Sequence, residues 1–385
     1  MSYFPKNLIS KLNKRAVEGS LRNLEVKRNL IDFSSNDYLG FASSEEIFTA
    51  ANDFLQSKKS LLNGATGSRL ISGNYELYTE AEAFFSNVFN AENALIFNSG
   101  YDANLGFFSC VPQRADFVFY DELIHASIRD GISLSNAKAF KFRHNNLDDL
   151  KQKIEKVVGN SIDAEIYIVT ESIFSMDGDE PNLRELANFC NQKNYRLIVD
   201  EAHATGVLGK NGLGMVQEFG LETHTFARIV TFGKSLGCHG AVILGSSELK
   251  KFLINFTRSF IYTTGLPPHS VATMIASAEF LISEKGKNEI LALQKKIEFF
   301  KSQIKAHQLQ QRFIESNSAI QSCVFSGNEK VGNAAQKLQQ EGFAVKAILS
   351  PTVPKGEERL RFCLHSYNSE AEIEKLVKLL ANFAL

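Results

Sequence analysis

Apolar residues recur along this chain in short unbroken runs separated by longer stretches with helical spacing. Asn93–Phe97, Asp116–Tyr120, Ala139–Phe142, Glu165–Thr170, Arg196–Val199, Ala227–Val230 and Ala241–Gly245 each read as a strand. Their runs are β-branched or aromatic on both parities. A strand buried on one face would alternate apolar and polar residues, whereas a strand covered on both faces does not. Between them, Leu77, Ala81, Phe84, Phe85 and Val88 follow helical spacing from Glu76 to Phe89, as do the apolar residues from Leu183 to Gln192. Alternating strand and helix predicts an α/β fold with a mainly parallel central sheet flanked by helices.

The texture changes near residues 265–270. A helical stretch from His269 to His307 leads into a smaller α+β unit with short strands near Ser322–Phe325 and Arg359–Leu364. A further helix is expected over residues 6–28, with Leu8, Leu12, Val17 and Leu21 on one face. The expected organisation is an N-terminal segment, 1–40, packing on the small domain, a large domain over 41–267 and a small C-terminal domain over 268–385.

With 385 residues, 44% hydrophobic and 22% charged, the chain is long enough for two globular domains. Its formal net charge of −1 gives no global field for nucleic acid. Five cysteines lack paired CxxC spacing, which suits free thiols in the cytoplasm and argues against a zinc site or another bound metal. No secretory h-region or membrane-length apolar stretch is evident.

Candidate chemistry gathers at strand ends. Val199-Asp200-Glu201-Ala202-His203 and Thr231-Phe232-Gly233-Lys234-Ser235 each follow an apolar run. Ligands of open α/β sheets collect at the carboxyl ends of strands. A carboxylate, an imidazole and a lysine there suit pyridoxal 5'-phosphate, with the lysine as Schiff-base partner and the Asp against the pyridinium nitrogen. Asn98-Ser99-Gly100-Tyr101 would open a helix and offer backbone N–H groups to a phosphate. Thr231 would add a hydroxyl. His125 follows another strand, where a ring could stack on a pyridine face.

These segments and several others resemble one family, the α-oxoamine synthases of the fold-type-I pyridoxal-phosphate enzymes. The resemblance is carried by Asn36-Asp37-Tyr38-Leu39-Gly40, Gly64-Ala65-Thr66-Gly67-Ser68-Arg69-Leu70-Ile71-Ser72-Gly73, Asn98 to Asn104, Asp121 to Ser127, Glu171 to Asp179, Asp200 to Gly206, Phe232 to Gly237 and Tyr262 to Pro268. It implies that Lys234 carries the cofactor, Asp200 pairs with the ring nitrogen, His203 and Ser175 meet the phenolic oxygen and His125 stacks. Gly100, Tyr101 and Thr231 would hold the phosphate, joined by Thr264 from a second subunit of a homodimer. Arg361 would hold the amino-acid carboxylate, with Asn36 and Thr352 lining the substrate site and Arg22 near the acyl substrate. Ser235 stands where the family more often has alanine.

The implied reaction is a decarboxylative condensation of an amino acid with an acyl thioester. The Gly67–Tyr75 loop and the Thr263–Pro268 segment are most similar to members acting on L-alanine and pimeloyl-CoA or pimeloyl-acyl carrier protein. Members joining glycine with acetyl, or serine with palmitoyl, thioesters are the alternatives. Beyond them stand a plain aminotransferase and a catalytically silent regulatory homologue.

Overall fold

The computed structural model describes residues 4–22, 24, 29–60, 62–159 and 164–384. Their contacts divide the chain into two units. The larger comprises residues 36–175 and 179–294; the smaller comprises 1–35, 176–178 and 295–385.

The larger unit is built on a seven-stranded sheet: β1 (Asn93–Phe97), β2 (Phe117–Asp121), β3 (Lys138–Phe142), β4 (Ile166–Glu171), β5 (Arg196–Asp200), β6 (Ala227–Thr231) and β7 (Ala241–Gly245). Its spatial order is β1-β7-β6-β5-β4-β2-β3. Only β7 runs against its neighbours β1 and β6. Every one of these seven runs read as a strand from sequence is one, two with the same ends and the others with one or both ends shifted by a residue. The shift makes Asp121, Glu171, Asp200 and Thr231 the last residues of their strands.

The unbroken apolar runs have the expected cause. Val118, Tyr167, Val169, Ile198 and Ile229 enter one core, with Phe107 and Phe108 of the helix Gly100–Cys110 and Ile128 of the helix Ala126–Leu134. Phe117, Phe119, Ile166, Ile168, Leu197 and Val199 enter a second core, with Leu150, Ile154, Leu186 and Ala187. Successive side chains point to opposite faces, so both parities must be apolar.

A buried arginine interrupts that pattern. Arg228 of β6 is buried with Glu201, Nη2 to Oε2 at 2.7 Å. Its guanidinium also donates to the Phe89 carbonyl at 2.8 Å and the Leu213 carbonyl at 3.1 Å. Glu201 Oε1 accepts the Val216 amide at 3.0 Å. The pair ties a strand to the loop beyond Asp200, so Glu201 is structural although it adjoins the candidate site.

Two expectations change. The helix expected over 6–28 spans only Lys6–Val17, because Gly19 turns the chain at a φ of 63°; residues 23 and 25–28 lie outside the described residues. The stretch from His269 to His307 is two helices, Pro268–Ile282 and Glu284–Ala306. The first packs on the helices Glu45–Ser57 and Glu76–Val88 of the larger unit. That packing carries the division between units to Gln294 and Lys295 rather than the 267/268 seam. Residues 36–40 likewise fall in the larger unit.

In the smaller unit, Ile31–Asp32 pairs in parallel with Phe343–Ala344. A separate antiparallel sheet is formed by Lys346–Ile348, Arg359–Cys363 and Ile320–Val324. Among the described residues, no helix is long and apolar enough to cross a membrane.

Candidate active site

The carboxyl ends of β2, β4, β5 and β6 bring candidate residues of the larger unit together. Lys234 follows β6 by three residues and is half-buried. Its Nζ lies 2.7 Å from His203 Nε2. His203 Nδ1 lies 2.8 Å from the Tyr38 hydroxyl, which donates to Asn36 Oδ1 at 3.1 Å. With Lys234 as an ammonium the hydrogens run one way: lysine to Nε2, Nδ1–H to the Tyr38 oxygen, and the phenol to Asn36. Tyr38 is fully buried, so it holds the imidazole from behind.

Asp200 ends β5 and is buried. Its Oδ1 accepts the Ala202 amide at 2.9 Å, and its Oδ2 accepts Asn104 Nδ2 at 2.8 Å. It forms no ion pair with lysine or arginine among the described residues. A carboxylate so placed favours a cationic N–H partner.

Glu171 stands beside Asp200 in strand register and accepts the His125 backbone amide. Burial, then the neighbouring Asp200 charge, push the Glu171 carboxyl well above its usual range. His125 caps its helix, accepting the Ser127 amide through Nδ1 at 3.2 Å. Burial and then Lys234 hold its pKa below the ordinary value, against a weaker opposing pull from Asp200.

The phosphate features converge. Ser99 caps the helix Gly100–Cys110, its hydroxyl accepting the Asp102 amide at 3.1 Å. The amides of Gly100 and Tyr101 belong to the first turn and have no acceptor within the helix. A Cβ on Gly100 would stand 3.2 Å from Thr231 Oγ1, so the missing side chain leaves room between that hydroxyl and the helix end. Asn98 Nδ2 donates to Thr263 Oγ1 at 3.1 Å and to the Thr264 carbonyl at 2.8 Å, so within this chain Thr264 reaches the same loop. The cradle, the buried carboxylate and the lysine fit pyridoxal phosphate, whose anionic group, ring nitrogen and aldehyde call for those partners.

Ser175 is also buried in the larger unit. The loop that carries it is fastened by His144, whose Nδ1 lies 2.9 Å from Asp121 Oδ1 and whose Nε2 lies 2.6 Å from Asp179 Oδ2. Burial alone would lower the His144 pKa; the two carboxylates overcome it and raise the value to about 9. A raised folded pKa adds stability that is complete below the ordinary value of 6.5 and disappears as pH rises through about 9. Urea midpoints are therefore expected to fall between those limits, and to fall less in His144→Gln. Equal slopes in the two proteins would contradict this assignment.

Arg22, Thr352 and Arg361 belong to the smaller unit. Arg22 and Thr352 line one cavity of about 770 Å³, together with Arg15, Met176 and Lys346. Arg361 is buried on the central strand of the small sheet, its Nη1 2.8 Å from Cys363 Sγ.

A model of the family described as aminotransferase class I and II matches residues 28–380. The chain belongs to that family. Within it, the chain is 39% identical to an 8-amino-7-oxononanoate synthase of Emericella nidulans, over 92% of this chain and 89% of the relative. An 8-amino-7-oxononanoate synthase structure from Francisella tularensis superposes with a TM-score of 0.77 at 30% identity, over 93% of this chain and 98% of that one. A serine palmitoyltransferase from S. paucimobilis, solved with a bound PLP–myriocin aldimine, superposes with a TM-score of 0.87 at 26% identity, over 98% of this chain and 97% of that one. The family fold is the fold-type-I pyridoxal-phosphate transferase, as the resemblance implied.

Tyr38, Asn104, Ser127 and Glu171 were not singled out as site residues from sequence. Each lies inside a segment that carried the resemblance, but nothing in one sequence distinguishes a buried polar partner from a cap. His144 had no local signal, since Asp121 and Asp179 are distant in sequence.

Proposed function

We propose that this chain condenses L-alanine with a pimeloyl thioester, releasing CO2 and the carrier thiol, to form 8-amino-7-oxononanoate. The observation that carries this reading is 39% identity over 92% of the chain to a relative named for that product. The enzyme is thus an acyltransferase of biotin synthesis. Its cofactor is pyridoxal 5'-phosphate, which when bound supplies an electron sink for the Cα carbanion of the amino acid.

The chain's own residues supply the rest. Asp200 holds the ring-nitrogen proton, and its buried carboxylate keeps that positive charge in place. His203, backed by Tyr38, holds the phenolic oxygen together with Ser175. Gly100, Tyr101 and Thr231 bind the phosphate. His125 covers one ring face and excludes water. Lys234 removes the Cα proton as general base. Arg361 takes the alanine carboxylate with its planar fork, and Asn36 and Thr352 line the substrate site. The cavity of Arg15, Arg22 and Lys346 favours an anionic acyl substrate, whether the carrier is coenzyme A or an acyl carrier protein.

A homodimer with shared sites is part of the reading. Leu70, Ile71 and Tyr262 are exposed, Ile71 at 87%. They flank a loop joined to the Thr264 segment, where the Gly265 amide donates to the Gly67 carbonyl at 3.0 Å. Apolar groups so exposed suit a second copy, which would bring Thr264 to the partner's phosphate. Sedimentation is expected to give twice the chain mass; an active monomer would contradict the shared site. The proposed location is the cytoplasm.

One observation favours a second reading, serine palmitoyltransferase: its TM-score is the higher, 0.87 against 0.77. That score follows the backbone path, which related enzymes share, whereas side-chain identity favours the pimeloyl enzymes. Thiol release separates the readings when alanine, glycine and serine are tested against acetyl, pimeloyl and palmitoyl thioesters. Alanine with pimeloyl thioester is expected to give the highest kcat/KM. Glycine lacks one methyl, worth only ~1–3 kcal/mol, so some glycine turnover is expected. A higher kcat/KM for serine with palmitoyl thioester would overturn the substrate reading.

A further inference from the structure

Asn104 joins two elements of the candidate site that the sequence keeps apart. It lies on the helix Gly100–Cys110, buried at 3% exposure, against the helix Ala126–Leu134. A Cβ on Gly131 would meet the Asn104 carbonyl at 2.8 Å, so a glycine there permits this close approach. Asn104 Nδ2 donates one hydrogen to Asp200 Oδ2 at 2.8 Å and the other to Ser127 Oγ at 3.1 Å. Ser127 Oγ lies 2.7 Å from His125 Nδ1.

The direction of every hydrogen in this chain is determined. A carboxylate only accepts, so the amide must present its NH2 to Asp200. The reverse orientation would set Oδ1 against the carboxylate oxygen. Ser127 Oγ receives the second amide hydrogen and keeps its own hydrogen for His125 Nδ1. The Ser127 backbone amide, which can only donate, is aimed at the same nitrogen from 3.2 Å. Nδ1 is therefore an acceptor, and the ring's own hydrogen is on Nε2. Asn104 Oδ1 meanwhile is buried with no hydrogen-bond partner. A buried acceptor left alone is unfavourable. Its presence here indicates that the two N–H directions, and not general polarity, are what the position requires.

We infer that Asn104 and Ser127 are positioning residues that, anchored on Asp200, aim the Ser127 hydroxyl hydrogen at His125 Nδ1 and hold its ring neutral, with the hydrogen on Nε2. Its functional meaning rests on the proposed pyridoxal-phosphate reading: a neutral ring lies against a pyridinium without charge repulsion and keeps one N–H donor for the substrate. The charged groups acting on His125 are Lys234 and Arg129, which disfavour its protonation, and Asp200 and Asp130, which favour it. Glu171 accepts the His125 backbone amide, and burial and then Asp200 hold its carboxyl well above the usual carboxylate range.

The test is nitrogen-15 NMR of the histidine rings in the cofactor-loaded full chain across a pH titration. Wild type is expected to show His125 with a lone-pair shift at Nδ1 and an N–H shift at Nε2. Ser127→Ala removes a donor to the neutral ring, and Asn104→Ala frees Ser127 Oγ to accept a hydrogen from Nδ1 instead, so the His125 pKa is expected to rise by about one unit in each. Ser127→Thr retains the hydroxyl and is expected to restore the wild-type value. A purely structural role would lower stability without moving these shifts. A wild-type ring protonated at Nδ1, or alanine variants with unchanged ring shifts and pKa, would overturn the inference. Failure of alanine and pimeloyl thioester to react would leave the ring shifts in place, so the two readings fail separately.

Discussion

Lys234→Ala is expected to lower turnover by at least roughly a hundred- to ten-thousandfold, the usual worth of general acid–base catalysis alone. The loss should be at the upper end, because the same nitrogen is the covalent anchor for the cofactor. The fold should survive, since Lys234 is half-buried rather than part of the packed core. In the wild-type protein, borohydride is expected to fix the mass of the cofactor to the peptide containing Lys234. Turnover unchanged in the variant, or the label on another lysine, would remove Lys234 from the chemistry.

The largest effect on stability is expected at Arg228. Removing one partner of a buried ion pair leaves the other charge unmatched, at a cost of about 3–5 kcal/mol. In Arg228→Ala, Glu201 would be stranded and the carbonyls of Phe89 and Leu213 would lose their donors. Glu201→Gln combined with Arg228→Met should recover part of the loss, because no charge is then left buried. Urea unfolding of the single and double variants measures this directly. A single variant within about 1 kcal/mol of wild type would show the pair to be dispensable.

Arg228 also marks where reading from sequence runs out. The strand Ala227–Val230 was legible because both its faces are buried and a run of apolar residues is the signature of that environment. The arginine inside it carried no local hint, since its partner sits on the loop after the neighbouring strand. The same holds at the site. Lys234, Asp200, His203 and His125 were legible because strand ends concentrate chemistry and each lies in a characteristic segment. Tyr38 and Asn104 act through residues distant in sequence, and only three-dimensional register brings Glu171 beside Asp200. The seam near residue 267 was read from a change of texture. The helix after it keeps an apolar face that belongs to the larger unit, and periodicity alone does not say which neighbour a face will find.

This fold joins the carbon of an amino acid to an acyl thioester, where an aminotransferase of the same family would only move nitrogen. Carboxyl-labelled L-alanine with pimeloyl thioester tests it most directly. One labelled CO2 is expected for each carrier thiol released, with 8-amino-7-oxononanoate as the product by mass spectrometry. Label retained in a keto acid, with the thioester unconsumed, would contradict it.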